Sequence, residues 1–433
     1  MQNHYDAIII GAGIIGTAIA RALAQRGWRI LGIDQLAGAG QGSTGGSAAM
    51  VRTQYSTRES TALAWEGYHC WSDWPGFLAV DDQADIAPFH PAGVLTFKTA
   101  DNGFLEKPLA FSLELGIPFE QWPVEKLATV FPSWDLRSFG PAVLWSDPRF
   151  GEISGESVKS VFFPCGGYCS DPRLAAHNLQ RAAEHTGASF CFNQAVCTID
   201  TSGGRVSGVT LASGERLQAP VVVNAAGPHS GHINGLAGIQ ATHNIKTRVV
   251  RHETVHLFCP EADSASGAPI MLYDTDVASY IRPDLGQHIL AGSFGAEGEP
   301  ERAADPDDFD RNLSQDAIEP VYRLAQRIPA LGIPNTLAGA ADLWDVSDDW
   351  IPIYDRSALD GFYLAIGTSG NQFKTAPAVG ELMATLIEAC ENGVDHDCEP
   401  VQFHLPRTGH NIGLGFFSRN RTPILASSHS VLG

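Results

Sequence analysis

The sequence predicts a mixed α/β and α+β chain, in which a βαβ, Rossmann-like domain carries an inserted domain built on an antiparallel sheet. Three observations predict it. Tyr5-Asp-Ala-Ile-Ile-Ile-Gly11-Ala-Gly13-Ile-Ile-Gly16 runs a buried apolar strand into a glycine-rich turn. Val221–Gly227 and Gly361–Gly370 repeat the theme of an apolar strand ending in small residues. The stretches between, about Ala87–Ile153 and Thr242–Thr336, are rich in Trp, Phe and Pro, with short alternating runs such as Ser279-Tyr-Ile-Arg-Pro283. Period-two alternation is the mark of half-buried antiparallel strands.

Taken in order, Ala7–Ile10 reads as a buried parallel strand, Gly13–Arg26 has helical apolar spacing, and Arg29–Ile33 is a second strand ending in Asp34. Gly11 permits the tight turn, Gly13 lets backbone approach a pyrophosphate, and Gly16 lets helix and strand pack closely. Ile14 and Ile15 open the helix, whose free N–H groups and positive dipole end suit a diphosphate. Asp34 sits where an acid accepts hydrogen bonds from an adenosine ribose. Asp171–Thr186 is an amphipathic helix with Asp171 as its cap and Pro172 in its first turn. Ala188–Ile199 and Arg205–Leu211 follow as strands joined at Gly203-Gly204, and Val221 begins the next buried strand. Phe309–Arg327 reads as a helix with the acidic run Asp305–Asp310 as its solvated start, and a last helix is expected from about Pro377 to Asn392. The expected nucleotide domain is therefore discontinuous, at 1–86, 154–241 and 337–400. The substrate domain takes 87–153 and 242–336, with a tail at 401–433.

Bulk properties narrow the function classes. A chain of 433 residues, 44% hydrophobic and 18% charged, suits a soluble protein of two or three domains. A formal charge of −20 argues against nucleic acid or an anionic membrane as partner, but leaves room for an anionic small substrate held by local cations. The apolar stretch Ala7–Ala24 is broken by Gly11, Gly13, Gly16 and Arg21, so no membrane span is expected. No basic n-region or cleavage site marks a secretory signal, and a cytoplasmic location is expected. The eight cysteines form no metal or redox pairing pattern and read as buried free thiols. No HExxH or Ser-His-Asp order stands out and no metal is expected; His229 and His232 read as structural.

With these pieces in order, the chain resembles the D-amino-acid-oxidase superfamily of FAD-dependent oxidoreductases, which includes sarcosine oxidase and glycine oxidase. The matching motifs are the N-terminal fingerprint, Gly42-Ser-Thr44 with Ala48-Ala-Met-Val-Arg52, the strand Val221–Gly227, Tyr280-Ile-Arg-Pro283 and Gly367-x-x-Gly370-x-x-Phe373-Lys374. The resemblance implies FAD, with Asp34 and Gln35 at the adenosine ribose and Val196 near the adenine. Ser43, Thr44, Ala49 and Met50 are placed beside the phosphates and ring system, and Ala226-Gly227 at the strand end. Gly370, Asn371, Gln372, Phe373 and Lys374 are expected at the pyrimidine end of the isoalloxazine, where N–H groups stabilise charge on reduction.

Arg52 and Lys374 match positions that hold a substrate carboxylate, which needs fixed positive donors in a dry pocket, and Tyr280 matches an active-site tyrosine. The plainer readings are a salt bridge or phosphate contact for Arg52, a helix-surface lysine for Lys374 and a core aromatic for Tyr280. The chain also departs from the family. Asp342 stands where sarcosine oxidases attach flavin through cysteine, and no histidine follows Thr44, so FAD is expected to be non-covalent. Trp344 replaces a carboxylate-binding arginine of glycine and D-amino-acid oxidases. Leu290 and Phe294 fall near an oxygen-activating lysine and an active-site histidine, so a dehydrogenase is slightly favoured over an oxidase, with the acceptor open. The implied reaction is oxidation of the C–N bond of a small amino acid or N-alkyl amino acid by hydride transfer to flavin N5, then imine hydrolysis. The alternative is a flavin-binding assembly protein, or a subunit of a multi-chain amine dehydrogenase, with little turnover of its own.

Overall fold

The computed structural model describes residues 4–79, 85–155, 157–259 and 269–432; the part of the second Trp- and Phe-rich stretch at 260–268 lies outside them. The first sheet grows from Ala7–Ile10, which pairs in parallel with Val221–Asn224 on one side and Ile30–Ile33 on the other. Phe362–Ile366 and Ser189–Cys191 extend it in parallel, and Ile353–Arg356 closes one edge antiparallel, for six strands. Successive side chains of a strand face opposite ways, and here each face has its own cover. Ala7 and Ile9 pack beneath the helices Ile14–Gln25, Pro172–His185 and Ala376–Glu391. Ile8 and Ile10 pack on the other side against the antiparallel meander Val196–Ser202, Arg205–Leu211 and Arg216–Gln218. Burial on both faces is why this strand reads as an unbroken apolar run.

The fingerprint glycines do steric work. Gly11 has φ +104°, and a Cβ there would lie 2.3 Å from the Ala225 carbonyl oxygen of the neighbouring strand end. A Cβ on Gly16 would lie 1.9 Å from the Gly11 carbonyl oxygen, so helix and strand touch through bare backbone.

The second sheet has eight strands, ordered Ala338–Ser347, Thr247–Phe258, His288–Ser293, Ser279–Asp284, Ile270–Asp274, Gly93–Lys98, Lys159–Phe163 and Glu120–Trp122. Its outer face, with Leu272, Ile281, Ile289 and Ala291, packs under the helix Glu319–Arg327. Its inner face carries Met271, Tyr273, Tyr280 and Leu290.

Several expectations need correcting. The sheet is antiparallel except where Ile270–Tyr273 runs parallel to Gly93–Thr96, because those strands come from separate insertions. Lys159–Phe163 and Ala338–Ser347, expected in the nucleotide domain, pair in this sheet. The expected strand Ala188–Ile199 is two strands in two sheets, broken at Asn193, whose φ is +56°. The expected helix Phe309–Arg327 starts only at Glu319, with Pro320 in its first turn. Ahead of it, Glu253 accepts hydrogen bonds from the Ser314 N–H and hydroxyl, and Asp310 accepts from the Asn312 N–H, which holds that stretch out of helix.

The tail beyond residue 400 is tied down by ion pairs, two of them to the buried Asp355 and Asp349. Arg419 bridges Asp355 and Asp397 at 2.9 and 2.8 Å, and Arg421 holds Asp349 at 2.7 Å. Phe416-Phe-Ser-Arg-Asn-Arg421 is thus a clamp on the first sheet's edge. Among the described residues no helix is long and apolar enough to cross a membrane.

Candidate functional site

Where the strands of the first sheet end, a cavity of about 750 Å³ opens between the two sheets. The turn after the first strand, Gly11 to Ile15, forms its floor. Thr44 Oγ1 accepts the Ile14 N–H at 3.0 Å, which fixes the Gly42–Thr44 loop over the helix N-terminus. Asp34 accepts the Ala12 N–H at 2.7 Å and the Leu36 N–H at 2.8 Å, so its carboxylate is held rigidly at the wall. A carboxylate keeps further lone pairs for a ligand hydroxyl. A bare-backbone floor, an open helix N-terminus and an anchored acid fit the diphosphate and ribose of a dinucleotide.

The cavity wall includes most of the residues predicted for it: Gly11, Gly13, Ile14, Ile15, Asp34 and Gln35 from the first unit, then Ser43, Thr44, Val196, Ala226 and Gly227. Gly370, Gln372 and Phe373 join them from the closing motif. Gly16, Ala49, Met50, Asn371 and Lys374 stand off it. Gly16 is spent on helix packing. Ala49 adopts φ +48°, and Met50 turns into the inner-face cluster of the second sheet. The Asn371 side chain bonds to Gln372 and to the Trp350 carbonyl.

Sequence reasoning missed one wall altogether. Pro306, Asp307, Phe309 and Arg311 line the cavity, so the acidic run is a strap reaching over from the second sheet. His229 Nε2 lies 2.9 Å from Asp307 and 3.3 Å from Gln35 Nε2, and both His229 and His232 line the cavity. Both histidines, read from the sequence as structural, thus stand at the cavity wall. Chain distance hid the contact, since 78 residues separate His229 from Asp307.

The other predicted group gathers beside the closing motif. Arg52 is 1% exposed, and its guanidinium lies 4.1 Å from the Tyr55 ring centre. Lys374 donates to the Tyr55 hydroxyl at 2.9 Å and to the Asn371 carbonyl at 2.7 Å, and Tyr55 donates to the same carbonyl at 2.6 Å. Burial, and secondarily Arg52, holds the Lys374 amine well below its ordinary range. Among the described residues neither cation has a carboxylate within ion-pair distance. Arg52 donates instead to the carbonyls of Gln54, Val431 and Leu432. The salt-bridge reading of Arg52 and the surface reading of Lys374 both fall. Tyr55, which joins the two cations, carries no signal in the sequence.

Tyr280 is tied into a second chain of contacts. Gly292 lies opposite it in the register, and a Cβ there would sit 2.4 Å from the phenol oxygen. That space lets the hydroxyl reach His252 Nε2 at 3.0 Å. The His252 ring stacks on Trp344 at 3.8 Å, its diagonal neighbour on the adjacent strand. Burial pushes the His252 ring down to about 3, so it is neutral, and raises the Tyr280 phenol. Trp344 in turn covers Gly370, whose φ is +67° and where a Cβ would meet the indole at 2.4 Å. Asp345 accepts the Gly367 N–H at 2.7 Å and the Thr368 hydroxyl, fixing the glycine turn. Leu290 and Phe294 belong to the inner-face cluster, with Phe294 5.4 Å from the Tyr280 ring. Asp342 lies against Gly46 on the cavity wall.

Known proteins bear on this geometry. A family model described as FAD dependent oxidoreductase matches residues 6–386. Glycine oxidase of Geobacillus kaustophilus is 24% identical over 424 residues, covering 94% of this chain and 100% of that one. Sarcosine oxidase subunit beta of Rhodobacter capsulatus is 22% identical, covering 89% and 85%. Among solved structures, L-proline dehydrogenase from P. horikoshii superposes with a TM-score of 0.74 at 22% identity, covering 96% of each chain. The glycine oxidase structure from Geobacillus kaustophilus gives 0.71 at 20% identity, covering 91% and 97%.

Proposed function

The chain belongs to the FAD-dependent oxidoreductase family, and from that premise we propose that it oxidises the C–N bond of an amino acid or N-alkyl amino acid held by its carboxylate. FAD is the cofactor. Bound in the cavity, it supplies the two-electron acceptor for the reaction.

One observation carries the reading: the buried Arg52 guanidinium and Lys374 amine flank Tyr55, and among the described residues only neutral acceptors surround them. A buried charge without a counter-charge costs several kcal/mol, by order of magnitude. A buried guanidinium beside a buried amine that an anion would recharge is a site suited to an arriving anion. Arg52 presents a planar donor set suited to a carboxylate, and Lys374 adds a second donor across Tyr55. Tyr280 and neutral His252 form the polar end of an otherwise apolar wall, where the amine of the substrate is placed. The inner-face cluster with Tyr273, Leu290 and Phe294 keeps water from the reacting carbon. Asp342 and the absence of histidine after Thr44 favour FAD held without a covalent bond. A flavin-binding role without turnover is not favoured by these observations.

Arg52→Ala tests the assignment. Loss of a charge-assisted hydrogen bond is worth about 1.5–3 kcal/mol, or roughly ten- to a hundredfold. KM for the amino acid is expected to rise by that factor while FAD stays bound and kcat changes less. An unchanged KM contradicts the assignment.

A further inference from the structure

The segment leading to residue 432 enters the substrate side of this site. The Ser428 N–H donates to Ser56 Oγ at 3.2 Å. The carbonyls of Val431 and Leu432 both accept from Arg52 Nη2, at 3.0 and 2.6 Å. Leu432 then packs against the cluster that holds Met50, Tyr168, Tyr273, Tyr280 and Leu290. A few residues earlier the chain is at the surface, with Leu425 89% exposed. These are the contacts a ligand would make: paired acceptor oxygens on the buried cation, and a branched aliphatic group against an apolar and aromatic wall.

We propose that Val431 and Leu432 hold the substrate's place. Their carbonyls stand in for a carboxylate on Arg52, and the Leu432 isobutyl group marks a subsite for a branched aliphatic side chain. The substrate class is then an apolar, branched amino acid or its N-alkyl derivative rather than an unsubstituted one, and the segment must withdraw before it binds. This rests on reading Arg52 as the carboxylate anchor. Neutral carbonyls offer the guanidinium no opposite charge, whereas a carboxylate pairs with it as an anion and can bond bidentately, so a substrate can displace them. The apparent affinity of any carboxylate is lowered by the fraction of molecules in which the segment is seated.

The test compares the FAD-loaded protein with the variant Leu432→Lys, whose added cation is repelled by Arg52 and enters an apolar wall. The probes are 4-methylpentanoate, which is leucine without its amine, and acetate. Binding is followed by calorimetry and by the visible spectrum of the flavin. The expected result is roughly tenfold or greater tightening of 4-methylpentanoate in the variant, with acetate at least about tenfold weaker there. In the unaltered protein, saturating 4-methylpentanoate is expected to speed amide hydrogen exchange over residues 429–432, a readout that needs no variant.

Equal affinities in the two proteins with unchanged exchange would overturn the proposal while leaving Arg52 as the anchor. Acetate binding as well as 4-methylpentanoate to the variant would overturn the aliphatic subsite. Failure of both carboxylates to bind either protein would remove the Arg52 reading, and the proposal with it.

Discussion

At the scale of single residues, the site's behaviour turns on Lys374. Its amine is held below its ordinary value of 10.5, chiefly by burial. Between the depressed and ordinary values the unfolded chain binds a proton that the folded chain lacks, so this group makes stability rise with pH across that window. A carboxylate arriving beside it restores the charged form. Substrate-analogue binding at a pH inside that window is therefore expected to be accompanied by net proton uptake. Calorimetry in two buffers of different ionisation enthalpy measures this, and Lys374→Met should abolish the uptake. Equal heats in the two buffers would show that Lys374 stays charged without its anion. The sequence revealed Arg52, Lys374 and Tyr280 because each sits in a recognisable motif. It did not reveal Tyr55 or His252, whose roles depend on which strands and turns become neighbours. The Arg52–Lys374 pairing spans 322 positions (374 − 52) and exists only in the folded chain.

At the scale of elements, the least legible piece was the strap at 306–311. Its acidic residues have the composition of a helix start, and only the bonds to Glu253 and the proline at the true first turn rule that out. In the structure it covers the cofactor cavity and is clasped by His229 and Asp307, a pair whose carboxylate is largely exposed. Exposed pairs are worth about 0–1 kcal/mol. His229→Ala should therefore speed FAD release by no more than about fivefold, measured by the fluorescence of freed flavin after dilution. A change of several hundredfold would mean that the clasp is not a surface pair. By contrast, the fingerprint strand, turn and helix were readable almost to the residue. Ile14–Gln25 falls inside the span its apolar spacing predicts, and Ala376–Glu391 begins one residue before the expected Pro377. Local rules sufficed there because both faces of the strand are covered and the helix Ile14–Gln25 is buried along nearly its whole length.

At the scale of the molecule, two sheets face each other across the cavity, one holding the dinucleotide floor and the other offering an aromatic inner face. The sequence showed that two kinds of sheet alternate, but misplaced where they exchange. Lys159–Phe163 and Ala338–Ser347 carry no local mark of the sheet they join. The inner face also bears on the electron acceptor. A cation beside the flavin would stabilise the negative charge that develops when O₂ takes its electrons. Leu290 and Phe294 supply none, and in the proposed reading Arg52 and Lys374 are committed to the carboxylate. Reoxidation by air-saturated buffer is expected to be slow, and reoxidation by a quinone or dye faster, in stopped-flow measurements. Rapid reaction with O₂ would make the protein an oxidase.

The central claim is that a carboxylate, seated on Arg52 and Lys374, positions an amine for oxidation by FAD. Anaerobic titration of the FAD-loaded protein tests it most directly, using amino acids and N-methyl amino acids beside the matching amines that lack the carboxylate. The account predicts that the flavin absorbance is bleached by one or more of the carboxylate-bearing compounds and hardly at all by their carboxylate-free counterparts. Bleaching by a carboxylate-free amine alone would contradict it.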